Sequence, residues 1–171
     1  MHSADLLAEA FDRVRQAVHE AVAGLTGDLL AERPAAGANS VAWLIWHLTR
    51  VRDDHVADVA EREQVWTAEG WAGRFGLALP ASDTGYGHGP GEVARVRVAD
   101  PALLTGYHDA VHAATRTHIR GLDDAALDRV VDRGWTPPVT LGVRLISVVS
   151  DDLQHAGQAA YLRGLLLGSG T

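Results

Sequence analysis

Four stretches of this chain repeat apolar residues at spacings of three and four, and little of it alternates at the period of two that a strand requires. From Ser3 to about Gly24, Leu7, Phe11, Val14, Val18 and Ala21 make one apolar face, with Ser3 placed to cap it. "TGDLLAERPAAGANS" then breaks the pattern with Gly27, Pro34 and Gly37. From Ser40 to about Arg62 the stripe is Val41, Leu44, Leu48, Val51 and Val59, capped by Asn39 or Ser40. The third helix runs from its cap Asp100, with Pro101 in the first turn, to about Gly121. A short piece follows at Asp123 to Val131, then a turn at "DRGWTPPVT". The last helix spans Thr140 to Leu167 and is closed by Gly168.

Four long amphipathic helices predict an all-α fold, an antiparallel four-helix bundle. The 171 residues predict one domain, 1–171, large enough to bury a core. Between the second and third helices, about Glu63 to Ala99 reads as a long irregular loop, with a short strand near Val93–Val98. Trp66, Trp71, Phe75 and Tyr86 punctuate it, and "GYGHGPG" is Gly-rich. Unstructured loops longer than about 12–15 residues are uncommon unless functional. This one reads equally as a surface excursion anchored by aromatics and as a wall or lid over a pocket.

The net charge of -7 argues against a nucleic-acid partner, which wants a basic face. The chain has no Cys, so disulfides, thiolate metal ligands and a Cys nucleophile are excluded. Any thiol chemistry needs a thiol from outside. No run reaches the roughly 18 apolar residues of a membrane span. The N-terminal "MHSADLLAEAFDRV" lacks the basic start and apolar run of a secretory leader, so the expected location is cytoplasmic.

Polar groups interrupt the core face of the last helix. Leu141, Leu145, Val148, Ala156, Ala159, Leu162 and Leu166 define it; Asp152 and His155 fall inside that arc, and Asp151 lies on its edge. A buried carboxylate must be paired, protonated or bound to a metal. Residues four apart on a helix lie one above the other, so Asp151 and His155 can reach one cation; Asp152 and His155, three apart, are a second pairing. A catalytic zinc takes three protein ligands and keeps a position open. The second helix offers His47 on the flank of its stripe or His55 nearer the centre. The third offers His108 and His112, also four apart in "HDAVH", as a competing pair. The bland readings are surface or satisfied histidines and aspartates paired with arginine. GxSxG, P-loop, HExxH and strand–helix GxGxxG signatures are absent.

"NSVAWLIWHL" in the second helix and "DDLQHAGQAAYLRGLL" in the last, with "EGWAGRFG", "DTGYGHGPGEV" and "YHDAVHAAT" between them, resemble the DinB-like superfamily, in its actinobacterial branch. The resemblance covers nearly the whole chain. It implies a four-helix bundle of the DinB/YfiT-like type holding a divalent metal, zinc first and nickel second, through three side chains. Carried onto this sequence these are His47, Asp151 and His155. Many relatives have His where Asp151 stands; an acidic residue there is similar to the mycothiol-dependent maleylpyruvate isomerases, which use Glu. Asp is one methylene shorter, which leaves Asp152 as a fallback ligand.

The resemblance further implies a low-molecular-weight thiol, mycothiol, as cofactor or co-substrate of an S-transferase or isomerase acting on a small electrophile. A metal with an open position holds a thiol as its reactive thiolate. The alternatives are a metal-dependent hydrolase of a small substrate and a non-catalytic bundle that binds a metal or small ligand. Arg50 and Arg144 are expected to bind a substrate carboxylate or the thiol's polar groups, with Asp54, Tyr107 and His108 lining the pocket. Expected partners are a small-molecule substrate and a second copy of the chain, with no nucleic acid and no membrane.

Overall fold

The computed structural model describes residues 2–168. The chain is mostly helical. In order it forms α1 (Ser3–Val22), α2 (Gly27–Ala31), α3 (Val41–Val59), α4 (Val65–Ala68), α5 (Trp71–Phe75), α6 (Pro90–Val93), α7 (Pro101–Arg120), α8 (Asp124–Leu127), β1 (Val130–Asp132), β2 (Val139–Thr140) and α9 (Leu141–Gly168). The four long helices α1, α3, α7 and α9 stand where the periodicity placed them. α1 and α3 each pack against both α7 and α9. No helix among the described residues is long and apolar enough to cross a membrane.

The apolar face read for α1 is the face it buries: Leu7, Phe11, Val14, Val18 and Ala21. Each large side chain of this kind contributes about 1.5–3 kcal/mol through burial. Side chains satisfy the helix starts. Ser40 Oγ accepts from the Trp43 N–H at 3.2 Å, and Asp100 accepts from the Ala102 N–H at 2.8 Å. Thr140 Oγ1 accepts from the Val143 N–H at 3.4 Å at the start of α9. At α1 the cap is His2 rather than Ser3, because the Asp5 carboxylate reaches back to the His2 N–H at 2.8 Å.

The segment between α3 and α7 is more regular than expected, since α4, α5 and α6 lie within it. No strand forms at Val93–Val98. Val93 ends α6, and Val96 and Val98 bury singly in the core without a partner strand. The strands lie instead in the turn after α8, where β1 and β2 pair antiparallel.

Fifteen of the nineteen residues of α3 are buried, so its polar groups must find partners inside the protein. Asp53 accepts from the backbone N–H groups of Val65 and Trp66 at 2.9 and 2.8 Å, and from the Tyr107 hydroxyl at 2.9 Å. Arg50 donates to the Asp83 carbonyl, the Gln64 side chain and the Tyr107 oxygen at 3.1, 2.8 and 3.3 Å. Its guanidinium lies over the Trp66 ring at 5.0 Å. These contacts fasten the α4 segment and the following loop to α3.

Two histidines of α7 are buried. His108 shares a 3.0 Å hydrogen bond between Nδ1 and Thr49 Oγ1, and His112 Nε2 lies 2.9 Å from Asp12. Burial, and after it the Arg52 charge, hold His108 well below the usual imidazole value and His112 at about 4. Unfolded, both take up protons near pH 6.5. Their neutral burial therefore favours folding fully above that pH and loses effect as pH falls toward 4. For His112 alone the gap is worth roughly 3 kcal/mol over the full window. Asp152, which burial raises to about 6 against the pull of Arg52, works the opposite way between about pH 4 and 6. Two rings outweigh one carboxylate, so the melting temperature is expected to drop between pH 7 and pH 5. The drop is expected to be shallower in His112→Asn. Equal melting temperatures for wild type at the two pH values would show that the two rings do not outweigh Asp152.

Candidate metal centre

His47 lies in the second turn of α3. Asp151 and His155 lie one turn apart on α9, so they share a face. Because α3 and α9 pack together, one nitrogen or oxygen of each residue comes within 4.8 Å of the others. His47 is buried; Asp151 and His155 are partly buried. The two imidazole centroids are 4.9 Å apart and nearly perpendicular. Trp43, one turn before His47, stacks on its ring at 4.4 Å.

The loop after α5 fixes the orientation of His47. Its Nδ1 lies 2.6 Å from the Thr84 carbonyl. A carbonyl only accepts, so Nδ1 carries the proton and Nε2 keeps its lone pair for a ligand. Gly85 passes close to the same ring at φ +89°; a Cβ there would sit 2.7 Å from His47 Nδ1 and 3.0 Å from the Trp46 ring. The loop is anchored at both ends of this contact. Asp83 accepts from the Gly85 N–H at 3.0 Å and from His88 Nε2 at 2.9 Å, while His88 Nδ1 accepts from the Trp43 indole N–H at 3.1 Å.

The donor set fits a divalent cation. Asp151 Oδ1 lies 3.5 Å from His155 Nε2, and Asp151 Oδ2 is buried without a hydrogen-bond partner. A buried carboxylate oxygen left unpaired beside two imidazoles is costly unless something positive sits there. Two nitrogens and one oxygen suit zinc and its neighbours in the first transition series. The electrostatics of the three groups differ. Burial pushes the Asp151 carboxyl up, but the hydrogen bond and charge of His155 outweigh it and hold Asp151 below the usual carboxylate range. Asp151 in turn raises His155. Burial lowers His47, which favours the neutral ring a metal requires.

The rival ligands do not join the cluster. Asp152 points into the interior, where Arg52 Nε donates to it at 2.8 Å, so Asp151, though one methylene shorter than a Glu, is the carboxylate that joins the cluster. His55 Nδ1 accepts from Arg144 at 3.2 Å. His108 and His112 belong to the separate contacts described above.

A cleft of about 400 Å³ opens beside the cluster, lined by His47, Val51, Asp54, His55, Thr84, Tyr86, Ser147, Val148 and Asp151. A larger hollow of about 620 Å³, between the start of α1 and the end of α7, contains none of the three clustered residues. Of the residues expected to bind substrate, Asp54 lines the cleft. Arg144 stands behind it, held by His55 and by Asp132 at 3.0 Å. Arg50, Tyr107 and His108 do not line it, because each is fully buried and bonded within the interior. Nothing in the sequence singled out Asp83, Thr84 and His88 as supports of His47; His55, weighed there as a ligand, and Tyr86, in the segment read as excursion or pocket wall, line the cleft. The Gly-rich "DTGYGHG" was the available signal, and it contributes Thr84 and Tyr86 to the wall of the cleft.

A search of the curated proteins found no match. Among solved structures the chain is similar to a crystal structure of a conserved protein from Enterococcus faecalis. The two are 35% identical, with a TM-score of 0.92, over 98% of this chain and 99% of that one. The mycothiol-S-transferase family model matches residues 6–168. With that match spanning nearly all of its length, the chain belongs to the mycothiol-S-transferase family, a DinB-like family.

Proposed function

We propose that this protein is a metal-dependent S-transferase that joins mycothiol, or a thiol like it, to a small electrophile, on an antiparallel four-helix bundle. The observation that carries the reading is the unpaired, buried Asp151 oxygen beside two imidazoles at a cleft, in a member of this family. His47, Asp151 and His155 would hold the cation. When bound, such an ion supplies Lewis acidity that favours the thiolate form of a thiol.

The chain's own residues supply orientation and proton handling. The Thr84 carbonyl keeps His47 in one tautomer. Burial, and next the Arg144 charge, lower His55, so its ring is neutral at physiological pH. Arginine can only donate, so His55 Nδ1 accepts from it and Nε2–H is left to donate to a ligand. Asp54, whose Oδ1 accepts from Gln64 at 2.7 Å, offers its other oxygen to a ligand hydroxyl. No Cys of the chain competes as nucleophile.

The test is a turnover assay on tag-free, zinc-loaded protein with a model electrophile, with and without mycothiol. Consumption of both reactants only when metal and thiol are present is the expected result. Consumption of the electrophile without thiol would replace this reading with hydrolysis. No consumption by metal-loaded protein across a panel of electrophiles would overturn the enzymatic reading.

A further inference from the structure

We infer that Arg52 and Asp152 are positioning residues that set the geometry of the metal centre by locking α3 and α9 in register. The inference rests on the proposed metal site. Both side chains are fully buried. Arg52 Nε donates to Asp152 Oδ2 at 2.8 Å, and Nη2 lies 2.6 Å from the same oxygen. Asp152 follows the ligand Asp151 directly, and Arg52 stands five residues after His47. The guanidinium also lies over the Phe11 ring of α1 at 4.8 Å. Its Nη1 reaches His108 Nε2 of α7 at 3.5 Å. Thr49 spends its hydroxyl proton on the Ile45 carbonyl at 2.7 Å, so His108 Nδ1–H donates to Thr49 and Nε2 is free to accept. One guanidinium, carried by α3, therefore touches the other three long helices.

Stability does not explain this arrangement. Replacing a buried ion pair by apolar residues is often neutral or stabilising. Here the other Asp152 oxygen is buried without a partner, which adds to the cost. Geometry does explain it. Successive helical residues point about 100° apart. With Asp152 pinned inward on Arg52, α9 must present Asp151 and His155 toward His47. Rotating α9 to release either ligand would break the clamp.

The test is the double variant Arg52→Met/Asp152→Leu, which removes both charges together. It is expected to keep wild-type helicity and a melting temperature close to wild type, yet to bind zinc about 10- to 100-fold more weakly by competition titration, the loss typical of a metal site without its outer supports. Wild-type zinc affinity in a folded double variant overturns the inference. Should that variant fail to fold, Arg52→Lys keeps the charge and loses the forked contact. Weakened zinc binding there supports the clamp, and unchanged binding overturns it. If wild type binds no zinc, the metal reading falls on its own. The clamp is then decided in metal-free protein by the NMR contact between the His47 and His155 rings. Loss of that contact in the double variant supports the clamp, and its persistence overturns it.

Discussion

His155→Ala is expected to empty the metal site while leaving the fold standing. His155 is partly buried, and its hydrogen-bonding contacts are long: 3.5 Å to Asp151 and 3.3 Å to Gln158. Neither contributes much where solvent reaches, so the stability change is expected to stay within about 1 kcal/mol. The cost to metal binding is much larger, because two protein ligands in place of three no longer satisfy a catalytic zinc. Elemental analysis should find about one divalent ion per chain in wild type and almost none in the variant at equal zinc, on the one-ion stoichiometry of such a site. Losing several kcal/mol of Lewis-acid stabilisation lowers thiol transfer on the order of a thousandfold. A variant that retains a full equivalent of metal would remove His155 from the ligand set.

Gly85→Ala is expected to damage both the fold and the site, and Gly87→Ala only the fold. Both glycines have positive φ, +89° and +74°, where an L side chain costs roughly 1–2 kcal/mol. Around Gly87 nothing lies within 4 Å of an added Cβ, so backbone strain is its whole cost. At Gly85 the new carbon meets His47 Nδ1 at 2.7 Å and the Trp46 ring at 3.0 Å. Trp46 is 1% exposed and cannot retreat. The loop must lift, stretching the 2.6 Å contact of the Thr84 carbonyl with His47. Overpacking adds about 1–3 kcal/mol. At roughly 2–4 °C per kcal/mol for a chain of this size, Gly85→Ala should melt about 5–15 °C below wild type. Zinc affinity should fall in Gly85→Ala and stay unchanged in Gly87→Ala. Equal zinc affinity in the two variants would show that the loop does not orient His47.

The long helices were readable because nineteen to twenty-eight residues give several turns over which an apolar stripe repeats. Helices of four or five residues, such as α4 to α6, give no such repeat, and the segment containing them read as loop. Periodicity could not choose between Asp151 and Asp152, since one lies on the edge of the stripe and the other inside it, and each is spaced to pair with His155. What separates them is Arg52 on another helix, a partner visible only after packing. His55 lay nearer the stripe's centre than His47, yet Arg144 holds it and His47 enters the cluster. The family pattern carried His47, Asp151 and His155 where spacing alone left them open. Arg50 was expected to bind a substrate carboxylate or the thiol's polar groups; its charge is spent on binding the loop to α3. Thr84 acts through its backbone carbonyl, and a carbonyl leaves no trace in residue type.

The cleft has walls of two different kinds. His47 and Asp151 come from helices whose positions are fixed by the core, whereas Thr84 and Tyr86 come from a short glycine-flanked turn. Tyr86 is 91% exposed, so its side chain holds nothing else in place. Substitution at that one position can alter what the cleft accepts without repacking any helix, while a change at a helical wall disturbs the interior as well. New ligand preferences can therefore arise at Tyr86 by single steps, with His47, Asp151 and His155 left untouched.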